Sequence, residues 1–243
     1  MTTSPKTAMV LAAGLATRMR PFSLERPKAL IEVAGKTLLD HALDRLAEAG
    51  VERAVVNTHH LAEQIERHLA GRRRPAITLS HERQILDTGG GIAQALPLLG
   101  ADPFYVINAK ILWRGGKQEA LHRLAAGWDP ARMDALLLLH PTVSAVGYDG
   151  LGDCTMDQLG RIAFREPRGV APFVYASIHI THPRLFAGAP DGAFPLRLLW
   201  ERAAEAGRLY GLHHGGEWYH VATPQGLAEA RLRLETNARV EFA

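Results

Sequence analysis

Ala8-Met9-Val10-Leu11-Ala12-Ala13-Gly14-Leu15-Ala16-Thr17-Arg18-Met19-Arg20-Pro21, followed shortly by Arg26-Pro27-Lys28-Ala29-Leu30, is the stretch whose reading decides the rest of the chain. An apolar run closes in small residues and a glycine, a polar loop then supplies Thr17, Arg18 and Arg20, and Lys28 stands just beyond a proline. This is the build of a strand whose C-terminal turn holds a phosphorylated ligand. Small residues such as Ala12, Ala13 and Gly14 let backbone N–H groups approach phosphate oxygens, while Arg offers a bidentate fork and Lys a point charge. The remainder of the chain is then expected to supply the ligand's other end.

Outward from this strand the pattern alternates. Leu30 to Lys36 reads as a short strand and turn, and Thr37 to Gly50 as a helix with Leu38, Leu39, Ala42, Leu43, Leu46 and Ala47 on one face. Arg53 to Thr58 reads as a strand and Leu61 to Leu69 as a helix with Leu61, Ile65, His68 and Leu69 inward. Ala76 to Ser80 is a further strand, a Gly-rich turn leads to a helix from Ile92 to Leu99, and Phe104 to Asn108 is the next strand. Repeated units of this length imply an α/β fold, a doubly wound and mostly parallel sheet with helices on both faces. Ligands of such sheets lie beyond the carboxyl ends of the strands, so Leu11 to Gly14, Ser80 to Thr88 and Ile107 to Lys110 are expected to border one crevice. The second half is less regular. It predicts helices at Gln118 to Ala126 and Pro195 to Ala206, strands at Ala135 to His140, Phe173 to Ile180 and Leu209 to His213, a hairpin around Met156 to Ile162, and a closing helix from Pro224 through Glu235. With no linker, repeat or low-complexity tract, residues 1–243 read as one domain, a first half to about 112 that carries the phosphate-holding strand and a smaller β region from about 113 laid over it, expected to take the ligand's other end.

Composition narrows the function classes. The chain of 243 residues is 47% hydrophobic and 22% charged, an ordinary globular balance. Its excess of +3 is small, and the run Arg72-Arg73-Arg74 has no interleaved aromatic residue, so it reads as a solvated loop and not as a nucleic-acid patch. Only five of the 28 basic residues are lysines, which singles out Lys28 and Lys110. A lone Cys154 excludes an internal disulfide and suits a reducing compartment. Met1 to Lys6 carries no leader signature and no stretch approaches the ~20 apolar residues of a membrane span, so a cytoplasmic, non-membrane protein is expected. With the chain ending at Ala243, no hexapeptide-repeat extension is expected, and oligomeric state is not readable.

Leu11-Ala12-Ala13-Gly14-x-x-Thr17-Arg18-Met19-Arg20-Pro21 with Pro27-Lys28 resembles the signature of the sugar-1-phosphate nucleotidylyltransferases, L-A-A-G-x-G-T-R-M…P-K-P, with further matches over nearly the whole chain. Asp87-Thr88-Gly89-Gly90-Gly91-Ile92 and the chain length resemble the branch that uridylylates N-acetylmuramate 1-phosphate in cell-wall recycling. The resemblance implies a Rossmann-like sheet, a nucleoside triphosphate and a sugar 1-phosphate as partners, and Mg²⁺ as cofactor. The chemistry is in-line attack of a phosphate oxygen on the α-phosphorus, and because both reactants are anions it depends on positioning and neutralisation. Arg18 then grips the pyrophosphate and Lys28 bridges the phosphates. Leu11, Ala12, Ala13, Gly14, Glu82, Thr88, Gly89 and Asn108 hold the nucleotide, with Glu82 accepting from the base and glycine backbone against the sugar. Gly152, Asp153, Glu166 and Ser177 face the sugar, with Tyr175 and Ala176 beside them.

The departures from the family pattern bear on the metal. Asn108-Ala109-Lys110 stands where the family has Asn-x-Asp, and His220 in Trp218-Tyr219-His220-Val221-Ala222-Thr223-Pro224 stands where it has a second metal aspartate. A carboxylate ligates Mg²⁺ and an ammonium repels it, while imidazole suits Mn²⁺ or zinc better. Ala16, Ala222 and Ser177 replace customary glycines and Ala29 a proline. Two outcomes stay open: Lys110 supplies charge that magnesium otherwise brings, with altered or impaired activity, or the chain binds UDP-sugar without turnover. Mannose 1-phosphate with GTP, glucose 1-phosphate with UTP or dTTP, and choline-phosphate cytidylyl transfer are same-class alternatives. A dehydrogenase is disfavoured because the spaced dinucleotide fingerprint and its acidic ribose residue are missing. His59 and His60 read as loop histidines capping the next helix, the alternative being that they line the crevice. His213-His214 is not read as a zinc site, since neighbours on a strand face opposite ways.

Overall fold

The computed structural model describes residues 4–116 and 118–240, the side chains of 235–240 excepted. The expectations attached to Met1–Thr3 and to the chain end at Ala243 lie outside the described residues.

Strand β1 (Thr7–Leu11) stands at the centre. Ala8 and Val10 enter one apolar cluster and Met9 the cluster on the opposite face, so β1 is buried on both sides, as parallel-sheet strands are. The loop after it contains a short helix, α1 (Phe22–Glu25), and a two-stranded hairpin, β2 (Glu32–Val33) and β3 (Lys36–Thr37). Thr37 then caps helix α2 (Leu38–Glu48), its hydroxyl accepting from the Asp40 N–H at 3.0 Å. Next come β4 (Arg53–Thr58), α3 (Ala62–Leu69), β5 (Ala76–His81), α4 (Asp87–Leu99), β6 (Phe104–Asn108) and β7 (Ile111–Arg114). The second half contributes α5 (Ala120–Gly127), β8 (Ala135–Pro141), β9 (Cys154–Met156), β10 (Ile162–Phe164), β11 (Phe173–Thr181), α6 (Arg197–Glu205), β12 (Leu209–His213), β13 (Glu217–His220) and α7 (Pro224–Val240).

Strands β6, β1, β4 and β5 pair in parallel, and the row Asn108–Leu11–Asn57–Ser80 crosses their carboxyl ends in register. Strand β11 pairs antiparallel with β6, and β8, β12, β9 and β10 continue from it into one nine-stranded sheet. The second half therefore prolongs the sheet edge and does not lie over the first half as the sequence suggested, because β11 takes the free edge of β6. Leu39, Leu43, Ile65 and Leu121 of α2, α3 and α5 cover one face. Ile92, Ala95, Leu199 and Trp200 of α4 and α6 cover the other. A third cluster joins Met19 of the signature loop to Leu38, Tyr219, Val221 and Leu227. A separate antiparallel ribbon, β7 with β13, sets His220 opposite Ile111.

Three local expectations are corrected. Helix α4 begins at Asp87, not Ile92, so Gly89-Gly90-Gly91 is helical and not a turn; each glycine costs a helix about 1 kcal/mol relative to Ala, and the compensation is tertiary. Arg72 is not solvated: it pairs with Asp40 at 3.0 Å and Asp44 at 2.5 Å. His59 and His60 cap nothing, since Leu61 at φ 54° precedes α3 and their rings bond the Glu82 and Ser23 carbonyls.

Candidate active site

The carboxyl ends of β1, β5 and β6 open into a cleft of about 370 Å³. Leu11, Ala12, Ala13 and Gly14 form its floor, Arg18, Lys28 and Lys110 bring positive charge to it, and Asn57, Glu82, Thr88 and Asn108 complete the wall. The three strand ends expected to meet do meet. Asn57 organises the floor, and sequence reasoning passed over it. Its side-chain oxygen accepts from the Ala12 N–H at 2.7 Å and its Nδ2 donates to Glu82 Oε1 at 2.6 Å. Glu82 Oε2 accepts from the Leu86 N–H at 3.0 Å, so both oxygens of this buried carboxylate are engaged within the protein. The available signal was a polar residue ending the apolar run Ala54-Val55-Val56, in register with Leu11.

The start of α4 is fixed by close packing. A Cβ on Gly89 would lie 2.3 Å from the Phe194 ring, one on Gly90 2.2 Å from the Gly192 carbonyl, and one on Gly91 2.6 Å from Glu82 Oε1. The N–H groups of Gly89 and Gly90 donate to the Phe194 carbonyl at 2.9 and 3.2 Å. The resemblance set glycine backbone against the sugar; here the Gly89 amide is bonded inside the protein. The Thr88 hydroxyl accepts from the Leu196 N–H at 3.0 Å, which leaves its own proton for another acceptor.

Lys110 is held at both backbone groups: its N–H donates to the Asn108 carbonyl at 2.7 Å and its carbonyl accepts from the Val221 N–H at 2.9 Å. Burial first, then the charges of Lys110 and Arg18, lower the Lys28 pKa to about 7. The Lys110 pKa is lowered by burial and by Arg18, with Asp153 opposing. His220 is brought to about 3 by burial, Lys110, Lys28 and Arg18, so its imidazole is neutral at physiological pH. It stacks on Trp218 with ring centroids 5.6 Å apart and planes 10° from parallel. Arg18, Lys28 and Lys110 line the same cleft, and their charges act on His220 beside it.

The donor set there does not fit Mg²⁺, which is held by carboxylate and water oxygens. Among the described residues no three His, Cys, Asp or Glu side chains converge to hold an ion. Two of the family's glycine positions do keep their geometry: Ala16 at φ 51° and Ser177 at φ 62° both occupy the left-handed region. Each carries a strain of roughly 1–2 kcal/mol that glycine avoids.

Residues 8–140 match the MobA-like NTP transferase domain. The chain belongs to the MobA-like NTP transferase family. It is 47% identical over 239 residues to the N-acetylmuramate alpha-1-phosphate uridylyltransferase of Caulobacter vibrioides, covering 96% of this chain and 99% of that one. It is 34% identical to the protein of the same name from Neisseria meningitidis serogroup B, covering 92% and 96%. A crystal structure of UDP-glucose pyrophosphorylase complexed with UDP-glucose superposes with a TM-score of 0.78 at 18% identity, covering 96% of this chain and 99% of that one. The protein is thus a nucleotidyltransferase on a Rossmann-like α/β fold.

In this nucleotidyltransferase Arg165 links three of the residues expected at the sugar: its side chain donates to the Gly152 and Glu166 carbonyls at 2.7 and 3.0 Å and its N–H to the Asp153 carbonyl at 3.0 Å. The Asp153 charge opposes the lowering of the Lys110 pKa, and its Oδ2 accepts from the Tyr175 N–H at 2.8 Å. Gly152 is at φ +79°, and a Cβ there would lie 2.1 Å from the Ala171 carbonyl. Ser177 is buried in the irregularity where the β11–β8 register shifts. Glu166 lies on an exposed loop whose carbonyls are gathered by Arg165, outside the wall of the cleft. His213, the last residue of β12, is exposed, and His214, just past the strand, is buried. No helix among the described residues is long and apolar enough to cross a membrane.

Proposed function

We propose that this nucleotidyltransferase transfers UMP from UTP to N-acetylmuramate 1-phosphate and releases pyrophosphate. The observation that carries the reading is the convergence of Arg18, Lys28 and Lys110 on a cleft floored by the backbone of Leu11 to Gly14. Such a floor suits a triphosphate, and cations beside it stabilise charge that shifts to the leaving pyrophosphate. The identity of base and acceptor is supported by the two uridylyltransferases to which the chain is similar over nearly its full length. In this reading Arg18 grips the pyrophosphate, Lys28 bridges the phosphates, and Asn57, braced by Glu82, holds the Ala12 amide and with it the course of the floor beneath them. Thr88 has a hydroxyl proton to offer the base, and Asp153 is the acceptor sugar's nearest carboxylate to the cations. The reaction belongs in the cytoplasm, where UTP is held, and serves peptidoglycan recycling.

The test is product formation across a panel of UTP, CTP, GTP, ATP and dTTP, each with N-acetylmuramate, glucose and mannose 1-phosphates. UTP with N-acetylmuramate 1-phosphate is expected to lead every other pair in kcat/KM by about tenfold or more, the discrimination a few specific contacts provide. A different leading pair would reassign the substrate while leaving the reaction class in place.

A further inference from the structure

The proposed reaction joins two anions at a point where, among the described residues, no carboxylates are arranged to hold magnesium. We infer that Lys110, together with Lys28 and Arg18, provides the positive charge at the triphosphate that a divalent ion otherwise provides, so that the site takes the nucleotide without a bound metal. The inference rests on the nucleotide reading of the cleft given above.

The carboxylates near the cleft each accept from the protein, Glu82 with both its oxygens. Glu82 accepts from Asn57 and Leu86, Asp87 Oδ1 accepts from the Thr88 N–H at 2.6 Å, and Asp153 accepts from Tyr175. The cations act against one another: the charges of Lys110 and Arg18 disfavour the Lys28 ammonium, and that of Arg18 disfavours Lys110, with Asp153 opposing. A divalent ion entering this cluster meets like charge at close range, whereas a triphosphate relieves it. Lys110 is also placed by structure. The turn bonded from Lys110 to Asn108 and the link from Val221 to the Lys110 carbonyl tie it to β6 on one side and to the segment after β13 on the other. An ammonium on such a mount offers three donors to phosphate oxygens with no need for an ion's coordination geometry. Neutral His220 adds no charge and lacks the partner carboxylates that would make it part of a metal centre.

Isothermal titration of UTP into the full chain, in chelator-containing buffer and in buffer with millimolar magnesium, tests this. The dissociation constant in chelator is expected to equal or fall below that in magnesium. Lys110→Met should weaken binding about tenfold or more in both buffers, and Lys110→Arg should retain it. Lys110→Asp should bind poorly in chelator and recover with magnesium. Loss of parent binding in chelator with recovery in magnesium would overturn the inference, as would a folded Lys110→Met that binds like the parent. UTP binding in neither buffer would overturn the nucleotide reading itself, and this inference with it.

Discussion

Lys28 lies where burial, Lys110 and Arg18 all disfavour its ammonium, and its pKa falls from 10.5 to about 7. The unfolded chain therefore holds more protons than the folded one between about pH 7 and 10.5, and stability rises with pH across that window. Below pH 7 the destabilisation by the buried charge is fully present. Lys28→Met removes it. The variant should melt above the parent by about 2–4 °C at pH 7, the shift that ~1 kcal/mol produces in a chain of this size, and the gap should close as the pH approaches 10. A gap that does not change with pH would show that Lys28 is not held in this state. The same logic explains why a residue that weakens the fold is present at all: an anion in the cleft reverses the sign of its environment. That Arg18, Lys28 and Leu11 to Gly14 would border one cleft was legible from cations spaced closely after a small-residue strand end. Asn57 was not, since a single asparagine closing a strand has no local signature and its partners Ala12 and Glu82 are 45 and 25 residues away.

Helix α4 shows what an element gains from neighbours that its own sequence does not disclose. Three glycines weaken helix propensity, and the segment reads locally as a turn, yet Phe194, Gly192 and Glu82 each occupy the space a side chain would take. Gly90→Ala sets a methyl against the Gly192 carbonyl, a backbone atom with little room to yield. Despite a better helix propensity, the variant should be destabilised by about 1–3 kcal/mol, the usual range for overpacking, read as a lower midpoint in urea unfolding. An unchanged or raised midpoint would mean that the 192–194 loop gives way. The regular βα units were legible element by element: β4, β6 and β12 have the limits their apolar runs give. The ribbon of β7 with β13 escaped because its two short strands lie far apart in the chain, Ile111–Arg114 and Glu217–His220, and no local pattern announces their pairing.

At the scale of the whole molecule, the sheet and the ribbon decide how the halves cooperate. β11 prolongs the sheet beside β6, and the ribbon carries His220 and Val221 back to Lys110, so the second half completes the rim of a cleft floored by the first. The alternating pattern of the first half disclosed its layers. The second half joined by edge pairing with β6, a choice set by which strand edge is free and not by any local motif. Met19 packed with Tyr219 and Leu227 ties the signature loop to the closing helix in the same way. The most direct test of this arrangement is pyrophosphate release from UTP and N-acetylmuramate 1-phosphate by the full chain, beside Arg18→Ala and Lys28→Met. Release by the parent, reduced about a hundredfold or more in each variant as for other removed transition-state contacts, is the predicted result. No release by a parent that binds UTP, or release unaffected by either substitution, would contradict a nucleotidyl-transfer site built on these cations.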